Sequence, residues 1–356
     1  VTRPTRVLLD HTALIHNVKQ IRAYAPGKKI IAMVKANAYG CGLSEVIPQI
    51  DSYVDAFGVA SLQEALAVRS LGSRNDCILF QGVFSLDEFN YVAKENLQCV
   101  IHQEQQLRWL LHTPLSKKIK IWLKVNTGMH RLGFEPDKIN DVIAALRECS
   151  WVDNEIGLMS HFACADEQDH PANKQQLDIF NNINCSKDSI VRSIANSAAI
   201  ISFPESHADV IRPGIMLYGV SPFAGKSGIE LGLLPVMQLI SAVSAIHHYP
   251  PNSPVGYGGT WQSNKPAIIG VLPVGYGDGY PRHITNAHVW IRGMLVPVVG
   301  RISMDMLTVD LTSCPDVVAG EQVELWGKNL AVEDVAKKAG TIAYELLCQM
   351  APRVRI

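Results

Sequence analysis

Eight short apolar runs, at residues 30–34, 56–60, 77–80, 98–102, 119–125, 156–161, 190–195 and 209–211, alternate with amphipathic stretches before residue 220. Short apolar runs bounded by turn signals suit strands buried on both faces, the environment that a parallel sheet covered by helices provides. Eight such strand–helix units predict a (β/α)8 barrel; a doubly wound sheet is the other arrangement open to the pattern, because sequence does not show closure. The intervening stretches carry helix signals. Leu14, Val18 and Ile21 share one face of a helix that Pro26-Gly27 ends, and Ser61-Leu62-Gln63-Glu64 and Ser85-Leu86-Asp87-Glu88 both have the form of a capping box. From residue 231 helical patterns almost vanish. Short β-forming runs at 236–246, 267–274, 289–298, 306–310 and 322–326 follow one another, with one helix at 332–339 closed by Gly340. The fold class is thus α/β plus β: a TIM-like barrel over 8–230, then a mainly-β domain over 231–356 joined by an N-terminal strand at about 1–8.

Composition narrows what such a chain does. With 47% hydrophobic and 18% charged residues and a formal charge of -1, it has no field to draw in nucleic acid or an anionic membrane. No apolar run is long enough to cross a bilayer, and the first residues lack the apolar core of a signal peptide. The 8 cysteines are scattered, with no Cys-x-x-Cys pair. A cytoplasmic protein with reduced thiols is expected.

In a barrel of this kind the chemistry sits where strands end at their C-terminal side. The first run, Ile30-Ile31-Ala32-Met33-Val34, leads straight into Lys35 and then the small, turn-prone Ala36-Asn37-Ala38-Tyr39-Gly40-Cys41-Gly42. Burying that ammonium would lower its pKa and free a neutral amine for a Schiff base, although a lysine there also suits a solvent-exposed strand end. In the fifth run alternation puts Lys120, Trp122, Lys124 and Asn126 on one face, and Arg131 follows in Thr127-Gly128-Met129-His130-Arg131. Lys124 and Arg131 in one barrel mouth would repel each other unless an anion lay between them. His161 ends the sixth run; with Cys164 it makes too few ligands to indicate a metal, so a buried histidine or a partner of a cofactor is the better reading, and no metal is expected. Asn196 and Ser197 after the seventh run offer a hydroxyl and helix N-terminal amides to a phosphate. Arg212-Pro213-Gly214-Ile215 ends the eighth, and its Pro-Gly pair lets the Gly214 and Ile215 amides come close to such a group.

Val34-Lys35-Ala36-Asn37-Ala38-Tyr39-Gly40 closely resembles the pyridoxal-phosphate lysine motif of the alanine racemases, and the resemblance continues through separate motifs in the family's order from about Leu8 to Arg355. It implies that Lys35 holds pyridoxal 5'-phosphate as an aldimine, that Tyr39 and Tyr344 reach its phosphate, and that Arg212 faces the pyridine nitrogen. Lys124 matches a lysine that is often carbamylated and orients the arginine matching Arg131, which contacts the cofactor's phenolic oxygen and the substrate carboxylate. Where the family usually has His, this chain has Cys41.

In the second domain Val255-Gly256-Tyr257-Gly258-Gly259-Thr260-Trp261 matches the family's catalytic tyrosine loop, Val274-Gly275-Tyr276-Gly277-Asp278 and Ser303-Met304-Asp305-Met306 its substrate loops. The resemblance implies a homodimer in which Tyr257, Tyr276 and Met304 of one subunit complete the partner's site. Lys35 and Tyr257 would be the two bases on opposite faces of Cα, and free tyrosine, with a pKa of about 10, would need a cation or His beside it. Taken alone, Tyr257 in a Gly-rich loop is a turn residue, and Tyr276, Met304 and Tyr344 are structural. The implied activity is interconversion of L- and D-alanine, supplying D-alanine for peptidoglycan. The alternatives are a broad-specificity racemase of the same fold and a non-catalytic cofactor-binding protein, which would resemble the family only in the barrel.

Overall fold

The computed structural model describes residues 3–185 and 190–354. Residues 1 and 2 of the expected N-terminal strand, and 355 and 356 of the expected β domain, lie outside that description. The chain divides into two compact units, one of Leu14–Leu217 with Pro222–Gly225, the other of the remaining residues.

In the first unit the described residues form eight parallel strands: β2 (Lys29–Met33), β3 (Ala56–Val59), β4 (Asp76–Leu79), β5 (Gln98–Ile101), β6 (Ile119–Lys124), β7 (Val152–Met159), β8 (Ile190–Ser193) and β9 (Val210–Ile211). They follow one another around the sheet, with β9 returning to pair with β2. The ring closes between β9 and β8, where Asp209 N–H donates to Arg192 O at 3.1 Å and Arg212 N–H to Ala195 O at 3.0 Å. That closure settles the fold as a barrel rather than a doubly wound sheet. β7 begins four residues before the expected run, because Val152-Asp153-Asn154-Glu155 lies partly in water at the strand's N-terminal end and carries no apolar signal.

The interior is packed along the alternation of β6. Lys120 pairs with Glu155 at 3.3 Å at the N-terminal end. Trp122, buried, donates from Nε1 to Gln98 Oε1 at 2.7 Å and fills the middle. Lys124, 8% exposed, ends the strand at the opposite mouth. Trp122 lies beside Gly157 of β7, where a Cβ would stand 2.2 Å from the indole.

The second unit is built on an antiparallel sheet of eight strands among the described residues: β1 (Arg6–Leu9), β10 (Met237–Ala242), β11 (Ala245–Tyr249), β12 (Ala267–Leu272), β13 (His288–Ile291), β14 (Met294–Val299), β15 (Leu307–Asp310) and β16 (Gln322–Trp326). The expected strand at 289–298 is a hairpin: Arg292 and Gly293, at φ 47° and 86°, make a two-residue turn between β13 and β14. Neither flanking run loses its apolar character, so the break leaves little trace in hydropathy. The run at 236–246 also divides, at Val243-Ser244, but its two halves do not pair with each other: β10 pairs with β1 and β16, and β11 with β12. The second capping box also fails. The helix Glu88–Lys94 starts only at the last residue of the box, with Asp87 and not Ser85 at the N-cap, and the Glu88 carboxylate accepts instead from Phe84 N–H at 2.8 Å. No helix among the described residues is long and apolar enough to cross a membrane.

Because the rings beside Gly157 belong to a buried tryptophan that cannot move aside without breaking its bond to Gln98, Gly157→Ala is expected to lower stability by about 1–3 kcal/mol. Denaturant midpoints of the two proteins check this, and an unchanged midpoint would show that the Trp122 layer is loosely packed.

Candidate active site

β2 stops at Met33, and the residues that follow turn the wrong way for L-amino acids. Ala36, Asn37, Ala38 and Tyr39 have φ of 53°, 53°, 54° and 51°, a full left-handed helical turn without a glycine. Such a conformation costs roughly 1–2 kcal/mol per residue, so neighbouring contacts must impose it. They are present on both sides. Ala36 N–H donates to Glu64 Oε1 at 2.7 Å, Leu43 N–H to Asn37 Oδ1 at 2.9 Å, and Gly42 N–H to Asn37 O at 2.8 Å. Gly40, at φ 83°, lets the chain leave the turn. Lys35 sits at the head of this turn and is exposed. The burial expected of Lys35 is not seen in this chain: β2 ends at Met33, Val34 is still buried, and the lysine follows it into the turn.

Desolvation acts instead on Lys124. Burial, reinforced by the positive charges of Arg212, Arg131 and Lys35, pushes its pKa down to about 7. Arg131 reaches this neighbourhood through a loop that folds back on β6. Phe134 N–H donates to Lys124 O and Asn126 N–H to Phe134 O, both at 2.9 Å, while Asn126 Oδ1 accepts from Gly128 and His130. A small cavity of ≈ 10 Å³ lies against Lys124, Arg131 and His161.

Arg212 is buried and tied to the barrel wall. It donates to Ser193 Oγ and Ser160 O at 2.6 Å, to Ile194 O at 3.1 Å and to His161 Nδ1 at 3.3 Å, with its guanidinium 5.9 Å from the Phe80 ring centre. Burial draws its pKa down to about 10, which leaves it charged at neutral pH. His161 is held neutral: burial first, then Arg212, Lys124, Arg131 and Lys35, carries its pKa well below the ordinary value. An arginine can only donate, so His161 Nδ1 is the acceptor and the proton belongs on Nε2.

A second group of polar atoms converges beside β9. Gly214 N–H donates to Ser197 Oγ at 2.9 Å, and a Cβ on Gly214 would stand 2.5 Å from the Tyr39 hydroxyl. Gly214 is therefore glycine because Tyr39 occupies the space a side chain would need. Ser197 opens a short helix, Ser197–Ser202, capped by Asn196, whose Oδ1 accepts from Ala199 N–H at 3.0 Å; Ile215 opens the next turn. Hydroxyls and backbone amides at this point, beside strongly held cations, suit an anion with several acceptor oxygens.

The remaining expected residues belong to the second unit. Tyr257, 70% exposed, stands in a turn made by Gly256, Gly258 and Gly259, all at positive φ. Tyr276 and Met304 are brought together by a buried carboxylate. Asp278 accepts both Arg3 nitrogens at 2.6 and 2.8 Å and Arg353 Nε at 2.6 Å, and it also takes Gly275 N–H at 2.9 Å. Gly277 N–H then donates to Met304 O at 2.9 Å. Tyr344 is on the helix Ala343–Cys348 and is half-buried. Glu64, Ser160, Ser193, Asp278, Arg3 and Arg353 were not singled out in the sequence. Glu64 carried a signal for a helix cap, and Asp278 stood in a matched loop without being given a role.

Residues 9–222 match the family model described as alanine racemase, N-terminal domain, and 236–356 match alanine racemase, C-terminal domain. The chain is 59% identical over 356 residues to an alanine racemase of Legionella pneumophila (strain Corby), covering 100% of this chain and 99% of the relative. It is 46% identical over 353 residues to one of Shewanella sediminis (strain HAW-EB3), covering 99% and 98%. Its fold is similar to the solved alanine racemase from Acinetobacter baumannii, with a TM-score of 0.94, 44% identity and 99% of each chain covered. It is also similar to the biosynthetic alanine racemase from Pseudomonas aeruginosa, with a TM-score of 0.95, 41% identity, and 100% and 99% covered.

The buried Lys124 makes stability depend on pH. Below about pH 7 the folded chain holds a desolvated ammonium. Between about 7 and the ordinary 10.5 the folded amine is neutral while the unfolded one still binds a proton, so stability rises with pH through that window. Relative to Lys124→Met, the cofactor-free protein is expected to lose stability as pH falls from about 10.5 to about 7 and to hold a constant deficit below that; a midpoint difference that is flat across this window would refute the shift.

Proposed function

The chain belongs to the alanine racemase family, and from that premise we propose how its residues divide the interconversion of L- and D-alanine. Pyridoxal 5'-phosphate fits the barrel mouth. Tyr39, Ser197 and the amides of Gly214 and Ile215 would hold its phosphate, with Asn196 shaping that helix start, Arg212 would meet the ring nitrogen, and Lys35 would carry the group covalently. The observation that carries this reading is the cluster itself: every charge acting on the buried Lys124 is positive, beside a hydroxyl and amide cradle where Gly214 excludes a side chain. Bound there, the cofactor would supply an electron sink that lets the Cα–H of an amino acid ionise.

The chain's own residues then decide the outcome. Arg212 remains charged and gives no proton to the ring, which limits the sink and favours prompt return of the Cα proton. His161, neutral, accepts from Arg212 and fixes the guanidinium plane. Arg131 orients the substrate carboxylate. Lys124 reaches neutrality near pH 7, and its amine can add CO2, forming an N–C bond and releasing one proton. The resulting carbamate would set a negative charge against Arg131 and relieve the repulsion in the cluster.

Lys35 and Tyr257 would be the two bases: Lys35 would take the proton from D-alanine while Tyr257 gives its own to the opposite face, and in the other direction Tyr257 would take the proton from L-alanine while Lys35 gives one. In this proposal the site is shared: Tyr257, Tyr276 and Met304 of one copy serve Lys35 of another, and Tyr344 narrows the entrance to a small side chain. The reaction would serve D-alanine supply for peptidoglycan in the cytoplasm; a solved relative at 41% identity is described as biosynthetic. A broader racemase would turn over L-serine as readily as L-alanine.

Racemisation is read as decay of the circular dichroism of L-alanine. Lys35→Ala and Tyr257→Phe are each expected to lose at least ~10²-fold in rate. Co-expressed in one cell, the two inactive chains should recover about a quarter of wild-type activity, because half the dimers are mixed and one of their two sites is intact. No recovery would overturn the shared site. Isotope-labelled bicarbonate should give a carbamate carbonyl resonance that Lys124→Met removes; the same signal in that variant would place the carbamate elsewhere.

A further inference from the structure

We propose that Glu64 is a positioning residue for Lys35. This inference rests on the reading of Lys35 as the cofactor-bearing base. Glu64 lies in the first turn of the helix Leu62–Ser70, whose N-cap Ser61 accepts from Glu64 N–H at 3.3 Å. In a capping box the glutamate would return to the amide of the capping serine. Here its two oxygens go elsewhere. Oε2 accepts from Ala60 N–H and Oε1 from Ala36 N–H, each at 2.7 Å.

The Ala60 contact belongs to the start of the helix. The Ala36 contact does nothing for the helix, since Ala36 is 28 positions away along the chain and follows a different strand. It holds the peptide bond that joins Lys35 to Ala36, and with it the direction in which the Lys35 backbone enters the left-handed turn. Ala36 is exposed, so a carboxylate on its amide must compete with water, and a charged acceptor at a short distance does so better than a neutral one. One side chain therefore clamps the C-terminal ends of β2 and β3 together at the residue next to the lysine. No proton moves through Glu64. Its effect is to fix the point from which the Lys35 amine starts, and displacement of a reacting group by an ångström costs up to about a hundredfold in rate.

Three variants separate this role from helix capping. Glu64→Ala removes both acceptors. Glu64→Gln keeps one oxygen but turns an NH2 toward an amide that needs an acceptor. Ser61→Ala removes the cap of the same helix and leaves the carboxylate in place. In cofactor-free protein, hydrogen exchange of the 35–43 peptide should speed up by about tenfold or more in both Glu64 variants and remain at the wild-type rate in Ser61→Ala. In the holoenzyme kcat should fall about tenfold to a hundredfold in the Glu64 variants with KM within about twofold, while Ser61→Ala keeps its kcat despite a lower melting temperature. Unchanged exchange in Glu64→Ala, or a kcat loss in Ser61→Ala equal to that in Glu64→Ala, would overturn the proposal. Full racemisation by Lys35→Ala would instead bring down the reading of Lys35, and the exchange result would still report on the clamp.

Discussion

Repulsion among Lys35, Lys124, Arg131 and Arg212 is the constraint around which the barrel mouth is built. Each of the other three depresses the proton affinity of Lys124, and all four act on His161. A folded chain holds such a cluster only if the rest of the barrel is stable enough to bear it, and only if some of the charges yield. Two do. Lys124 gives up its proton near neutrality and His161 stays neutral, while Arg212, which cannot follow them, is restrained by four acceptors at the C-terminal ends of β7 and β8. What survives is a fixed positive field with a pre-set geometry, ready for an anionic group and costing no reorganisation when one arrives.

The left-handed turn after Lys35 shows the same economy in the backbone. Four residues in a disfavoured conformation sum to several kcal/mol, a sizeable part of what separates a folded domain from an unfolded one. The strain persists because its contacts are cross-linked: Glu64 at its entry, the Asn37 side chain and backbone spanning to the next helix, and the Tyr39 hydroxyl seated where Gly214 leaves room. In the second unit Asp278 has the corresponding part, with Arg3, Arg353 and the Gly275 amide converging on one buried carboxylate.

Much of this was legible in the sequence, and the exceptions share a physical reason. The barrel strands could be found because burial on both faces leaves an unbroken apolar run, and the polar residues ending those runs stand at the mouth where β6, β7 and β9 finish. The hairpin turn at Arg292-Gly293 was hidden because apolar runs flank it closely on both sides. Which of the two lysines is buried could not be read either. Lys35 ends an apolar run and so looked buried, but burial depends on where a strand stops against its neighbours, and the depth of Lys124 depends on Trp122 and β7 beside it. The second contact of Glu64 was invisible for the plainest reason, since a local motif accounts for a residue's near neighbours and not for a partner on another strand.

The pairing of β1 with β10 sets a timetable for the chain. Arg6 faces Ile240 across the sheet, so β1, which precedes the barrel in the chain, has its partner only after every described strand of the barrel has emerged. Until then Val7, buried in the finished sheet, and the hydrogen-bonding edge beside it have nothing to cover them. The barrel strands pair mostly with sequence neighbours and can be organised first, whereas the sheet of the second unit waits on the most distant contact in its ladder, the kind that slows folding and exposes an unfinished strand to other chains. Slow synthesis between β1 and β10 thus bears hardest on the unit that carries Tyr257.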